Sequence, residues 1–150
     1  MISFVPKLTT VKVEKPITRT IESIYSFSYE YLSFETPVGI AIEKVIKSEY
    51  TGLPVLDNDR RPVGFMSEKT CLAVALKTRY LNEESGLITD YMSPFCYTMP
   101  YNKSIFEAAE LFLTNPYHAY PVVNTKGVVV GVIRRTDILA EIARLSITSW

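Results

Sequence analysis

At 150 residues, 47% hydrophobic and 21% charged, the chain has the balance of a globular protein with enough apolar material for a sizeable core. Its 16 basic and 16 acidic side chains cancel, which removes the electrostatic drive of a dedicated nucleic-acid binder or a polybasic membrane-surface protein. No apolar run approaches the roughly 20 residues of a membrane helix, and two cysteines with one histidine cannot build a standard zinc site.

Cys71 and Cys96 therefore read as reduced, packed thiols. The segment Met1–Lys7 lacks the basic start and apolar stretch of a signal peptide, so the expected address is the cytoplasm. Residues 1–19 form an N-terminal extension with one candidate strand at Thr10–Val13. Thr36-Pro37 then reads as a helix start, Thr as cap and Pro at the first helical position. Val38, Ala41, Ile42 and Val45 follow at i, i+3, i+4 and i+7, the spacing of a buried helical stripe. Leu53-Pro54-Val55-Leu56 is apolar and strand-like, and Pro54 belongs at a strand start or edge because it donates no ladder bond. Asp57–Pro62 reads as a turn and Val63–Met66 as the returning strand of a hairpin. Leu72, Ala75 and Leu76 mark a second helix.

The same series then occurs again, 67 positions on. Pro54 corresponds to Pro121 and Gly64 to Gly131 with no change of register. Ile105, Ala108, Ala109 and Phe112 repeat the first stripe, Asn124–Gly127 the turn, and Ile138, Leu139, Ile142 and Leu145 the last helix. A gapless period of this kind means two copies of one supersecondary unit. The fold class is α/β (α+β): two tandem β-α-β-β-α repeats related by a pseudo-twofold axis, over a shared core. The divisions are an extension at 1–19, a first repeat at 20–76, a linker at 77–86 and a second repeat at 87–150 that includes the end of the last helix. Paired copies create a seam, and seams between repeated units are where pockets form.

The ordered set resembles the cystathionine-β-synthase (CBS) domain family. It comprises a helix, a small residue before Pro-Val, a turn, then hydrophobic-Gly-hydrophobic-hydrophobic-Thr/Ser-x-x-Asp and another helix. Tyr91-Met92-Ser93-Pro94 is similar to the Met-x-Pro entry of such repeats. Two in tandem resemble a CBS pair, or Bateman module. The resemblance implies a module that often dimerises as a flat disk. It also implies clefts between repeats that bind AMP, ADP, ATP or S-adenosylmethionine, and control of an enzyme, channel or transporter. With no such domain in the chain, it implies a stand-alone regulator of a separate effector protein.

Transferred residue by residue, the resemblance favours the second repeat as the ligand site. Asp137 stands where a carboxylate accepts the ribose hydroxyls, and Ala119 is the small residue that lets a flat ring approach the backbone beside His118, Tyr120 and Pro121. Arg134 departs from the family's Thr or Ser and, with Arg135 and Thr136, stands near the phosphate position. Thr98 and Tyr101 are implied as lining. The first repeat keeps the hydroxyl at Ser67 and the small residue at Gly52, but has Thr70 in place of the aspartate, while Glu68 would repel phosphate.

Each position also has a structural reading. Asp137 is equally a helix-end carboxylate, worth about 0.3–1 kcal/mol with the helix dipole. Ser67 serves as a plain N-cap, and the two arginines as solvated charges. His118 has no nucleophile or base to work with, the tyrosines suit cores and interfaces, and Gly64 and Gly131 permit close packing of strand on helix. The half-kept motifs leave two functions open: an adenosine-ligand sensor, or a ligand-free scaffold for dimerisation or docking. Nothing nominates an enzyme, a nucleic-acid partner or a membrane partner.

Overall fold

The computed structural model describes residues 19–80 and 86–145. The candidate strand at Thr10–Val13 lies outside them. Each repeat opens with a short 3-10 turn, Ile21–Ser23 in the first and Ile88–Asp90 in the second. The elements that follow are β1 (Leu32–Ser33), α1 (Val38–Lys47), β2 (Gly52–Leu56), β3 (Pro62–Ser67) and α2 (Glu68–Tyr80). In the second repeat they are β4 (Met99–Pro100), α3 (Ile105–Thr114), β5 (Ala119–Val123), β6 (Val129–Arg134) and α4 (Arg135–Leu145). Each repeat forms a three-stranded sheet, β1-β2-β3 and β4-β5-β6, with a parallel first pair and an antiparallel hairpin. No described helix is long and apolar enough to cross a membrane.

The helical stripes fall as their spacing requires: Val38, Ala41 and Val45 are buried in α1, and Ile105, Ala108 and Phe112 in α3. The start of α1 differs from expectation. Pro37 occupies the N-cap and Thr36 makes no cap bond, whereas Ser104 at the equivalent place caps α3 by accepting from the Glu107 amide at 3.0 Å. The second helix also differs. Cys71 and Val74 face inwards, while Leu72 is 71% and Leu76 55% exposed, and α2 continues through Lys77–Tyr80 where a linker was expected.

Pro54 sits in the middle of a central strand rather than at an edge. Its neighbour β1 is only two residues long and begins opposite Val55, so no acceptor faces the missing donor of Pro54. On the other side Pro54 faces Phe65, whose amide and carbonyl both bond to Ser93 instead. Pro121 repeats the arrangement against Val132, which bonds both ways to Ser26. A proline therefore costs these sheets no hydrogen bond.

Those last bonds show that the repeats exchange their leading segments. Two core clusters stand in place of one shared core. Ile21 packs, fully buried, with Met99, Phe112 and Ile133 of the second repeat, and Ile88 packs with Leu32, Val55 and Met66 of the first. Burying an isoleucine contributes about 1.5–3 kcal/mol and each net backbone hydrogen bond about 0.5–1.5, so the two bonds at each crossing are comparable to its isoleucine and also set the register. Arg19, just ahead of Ile21, pairs with Glu141 of α4, whose carboxyl is held below its usual range chiefly by the hydrogen bond from Arg144.

The conserved-register glycines serve this exchange, not the strand-on-helix contact expected of them. A Cβ on Gly64 would lie 2.5 Å from Met92 Sδ and 2.6 Å from the Ser93 carbonyl, and one on Gly131 would strike Tyr25 and the Ser26 carbonyl. The hairpin turns follow the expected chemistry. Asp57 Oδ1 accepts from the Asp59 and Arg61 amides, Asn124 Oδ1 from those of Lys126 and Val128, and the left-handed position falls on Arg60 (φ 62°) and on Gly127 (φ 76°).

Gly64→Ala should lower the free energy of unfolding by about 1–3 kcal/mol, because the Ser93 carbonyl is backbone and cannot step aside. Urea unfolding checks this, and an unchanged midpoint would mean that the crossing segment is not fixed where described.

Candidate functional site

Where the two hairpins face each other they leave a cavity of about 620 Å³. Its walls come in pairs: Tyr50, Thr51 and Gly52 of the first repeat, and Tyr117, His118 and Ala119 at the same positions of the second. Pro54 and Pro121 form another such pair, so the pseudo-twofold axis runs through the cavity. Gly52 and Ala119 are small where β2 and β5 begin, and a Cβ on Gly52 would meet the Phe65 ring at 2.5 Å. The fold thus holds backbone at the cavity wall where most side chains would fill it.

The resemblance implied twelve site residues, and the cavity collects six of them: Gly52, Ser67, His118, Ala119, Tyr120 and Pro121. Arg134, Arg135, Thr136 and Asp137 do not line it, and neither do Thr98 and Tyr101. Tyr101 instead packs against the second core cluster. The Arg135 amide donates to the His118 carbonyl at 2.9 Å, which fixes the start of α4 just behind the lining. Asp137 is occupied: it accepts from the Arg134 amide at 2.8 Å, and the Arg134 guanidinium folds onto it at 3.4 Å.

The two helix starts divide one capping box between them. In α2 the N-cap Ser67 Oγ accepts from the Thr70 amide at 3.1 Å, and in α4 the Asp137 carboxylate reaches back to the N-cap amide. Each repeat keeps the half that the other has lost. The structural readings of Ser67 and Asp137 are thereby realised in full.

Beyond Tyr120 and Glu68, which the sequence had already nominated or weighed, the lining adds aromatic and acidic residues. Five of the ten tyrosines border the cavity (Tyr29, Tyr50, Tyr97, Tyr117 and Tyr120), joined by Phe65 and Phe95. Among the described residues Glu30, Glu49 and Glu68 are its carboxylates and Lys69 its one ammonium group. The recurrence of Tyr50 at Tyr117 was the available signal, since both precede the small residue of the strand. Burial pushes the Tyr50 hydroxyl pKa up, opposed by Arg134 and reinforced by Glu30, Asp137 and Glu49. The same tyrosine therefore feels the field of the Arg134–Asp137 pair.

Two β-α-β-β-α units that exchange their leading segments and face each other across an axial cleft define a paired-repeat module. The chain belongs to the CBS domain family, whose model matches it twice, at residues 21–77 and 88–144, so it is a tandem CBS pair. Among curated relatives, the chloroplastic CBS domain-containing protein CBSX1 of Arabidopsis thaliana is 27% identical over 69% of this chain and 55% of its own length. The inosine-5'-monophosphate dehydrogenase of Thermoplasma acidophilum is 27% identical over 87% of this chain but only 24% of its own. The chain thus spans about half of one relative and a quarter of the other. Among solved structures, CBSX2 in complex with AMP superposes with a TM-score of 0.70 at 22% identity, covering 85% of this chain and 98% of that one. Protein MJ1225 from Methanocaldococcus jannaschii, a putative archaeal homolog of g-AMPK, gives 0.71 at 18%, covering 84% and 50%.

Asp137→Ala removes the side-chain bond to the Arg134 amide and should cost about 1 kcal/mol of stability. Thermal unfolding reads the change; a wild-type midpoint would show that the cap contributes nothing.

Proposed function

We propose that this CBS pair binds an adenosine-containing ligand, such as AMP, ADP, ATP or S-adenosylmethionine, in the cleft between its repeats and passes occupancy to a separate partner protein. The observation that carries this reading is the 620 Å³ cavity on the pseudo-twofold axis, with aromatic walls and small residues at both strand starts. The AMP complex of CBSX2, which shares this fold, supports it. A ligand that touches both repeats favours one relative setting of the two, and only that difference in affinity between settings can regulate anything. In this reading the role is regulatory, the part that an occupied cleft between two repeats can play by favouring one setting of them.

Homodimerisation belongs to the same proposal. Ile46 of α1 and Leu72 of α2 are exposed, and so are their counterparts Leu113 of α3 and Leu139 of α4. Matching apolar faces on both repeats suit a second copy of the chain. The same faces support a second reading, a ligand-free scaffold.

One adenosine ligand at 100 times its dissociation constant should add about 2.7 kcal/mol, seen as a raised unfolding midpoint. Ala119→Trp, which fills the floor, should abolish the rise while leaving the circular dichroism spectrum intact. No rise with any adenosine ligand at millimolar concentration would leave the scaffold. In sedimentation, a dimer at micromolar protein that Leu72→Glu with Leu139→Glu disperses is expected; a wild-type monomer at every concentration would remove the dimer.

A further inference from the structure

We propose that the chain fills one of the two equivalent halves of its cleft floor with its own Phe65 ring, so that a ligand lies only on the half beside Ala119 and one molecule binds per chain. The ligand rests on the adenosine reading above; the division of the cleft stands on the geometry of its floor.

Gly52, Pro54 and Phe65 line the cavity from the first repeat, and Ala119, Pro121 and Val132 stand at the same positions of the second. Phe65 lies directly across the hairpin from Pro54, and Val132 from Pro121, so the two halves share one register. The proline is common to both; the residues around it differ as a pair. In the first half the phenyl ring rests on the glycine: a Cβ on Gly52 would stand 2.5 Å from Cε1 and 2.7 Å from Cζ of Phe65. A flat ligand between them would need about 3.5 Å of separation from each side, and that space is taken. Burial agrees with this. Gly52 has no side chain to shield it and is buried, whereas Ala119, opposite the smaller Val132, is only half-buried. The hydroxyl beside the covered floor is engaged as well. Ser67 Oγ donates to Thr70 Oγ1 and accepts from the Thr70 amide, both at 3.1 Å. The 620 Å³ that remain fall within the size of one small-molecule site, about 300–1,000 Å³.

Calorimetric titration of the full chain with AMP and with adenosine, which carries no phosphate for Glu68 to repel, tests this. The wild-type chain should take up one molecule. Phe65→Val leaves Gly52 uncovered and should raise the stoichiometry to two. Val132→Phe with Ala119→Gly copies the first half of the floor into the second and should weaken binding at least about tenfold. Circular dichroism checks that both variants keep the fold. Two molecules on the wild-type chain would overturn the role of Phe65 while leaving the adenosine cleft standing. So would a stoichiometry held at one in Phe65→Val, or wild-type affinity in the double variant. Silence from the wild-type and Phe65→Val chains towards both compounds would overturn both readings.

Discussion

Paired backbone hydrogen bonds carry each leading segment across the molecule: Ser26 with Val132 in both directions, and Ser93 with Phe65 in both directions. With Ile21 and Ile88 buried at the far ends of those crossings, neither repeat has a complete core of its own. The remaining architecture follows from this constraint. The crossing chain pairs the outer backbone groups of Phe65 in edge strand β3 and of Val132 in edge strand β6, so the middle of each edge is closed to other strands. Gly64 and Gly131 must lack a Cβ because the crossing chain passes directly over them. The hairpins are drawn face to face, and the cleft is the space that remains between their strand starts.

The same geometry explains why the cleft is symmetric in backbone and asymmetric in chemistry. The axis guarantees that any small residue needed at one wall has a counterpart opposite, as Gly52 has Ala119. It guarantees nothing about side chains that project into the opening, and there the repeats have diverged: Glu30 faces the place of Tyr97, and Ser67 the place of Arg134. Divergence reached the helix starts as well, where one capping box has been separated into complementary halves. A helix start needs only some partner for its free amides, so either half suffices.

Most of the local architecture was legible in the residues. The stripes of α1 and α3, both hairpins and their Asx turns, the period of 67 and the family resemblance rest on spacing and turn chemistry, which act over a few residues. The exchange was not legible. Ile21, Ile24 and Tyr25 present the same apolar pattern whichever repeat receives them, so sequence spacing cannot name the recipient. Pro54 was assigned to an edge because the rule against proline in a central strand assumes a full-length neighbour, and β1 is two residues long. Leu72 and Leu76 satisfied a helical period but form the outward face, since Cys71 and Val74 one turn round supply the buried one. Of the implied site, the backbone-defined positions Gly52, Ala119 and Pro121 reached the cavity. Tyr29, Tyr50, Tyr97 and Tyr117 went unnominated, because a tyrosine beside a strand start borders a cleft only once a second hairpin is placed opposite it.

Synthesis of the chain proceeds from the N-terminus, and the exchange gives that order a consequence. When β1, α1, β2, β3 and α2 have left the ribosome, the hole that Ile88 fills is still empty and Ile21 has nothing to enter. The first repeat must wait, its β3 edge uncovered, until the segment around Ser93 emerges, and Ile21 must wait longer still, for β6 and α4. Closure is thus a late and mutual event joining residues far apart in the chain, the kind of contact whose loop entropy slows folding. Duplication has not produced two domains that happen to adjoin; it has produced one folding unit written twice.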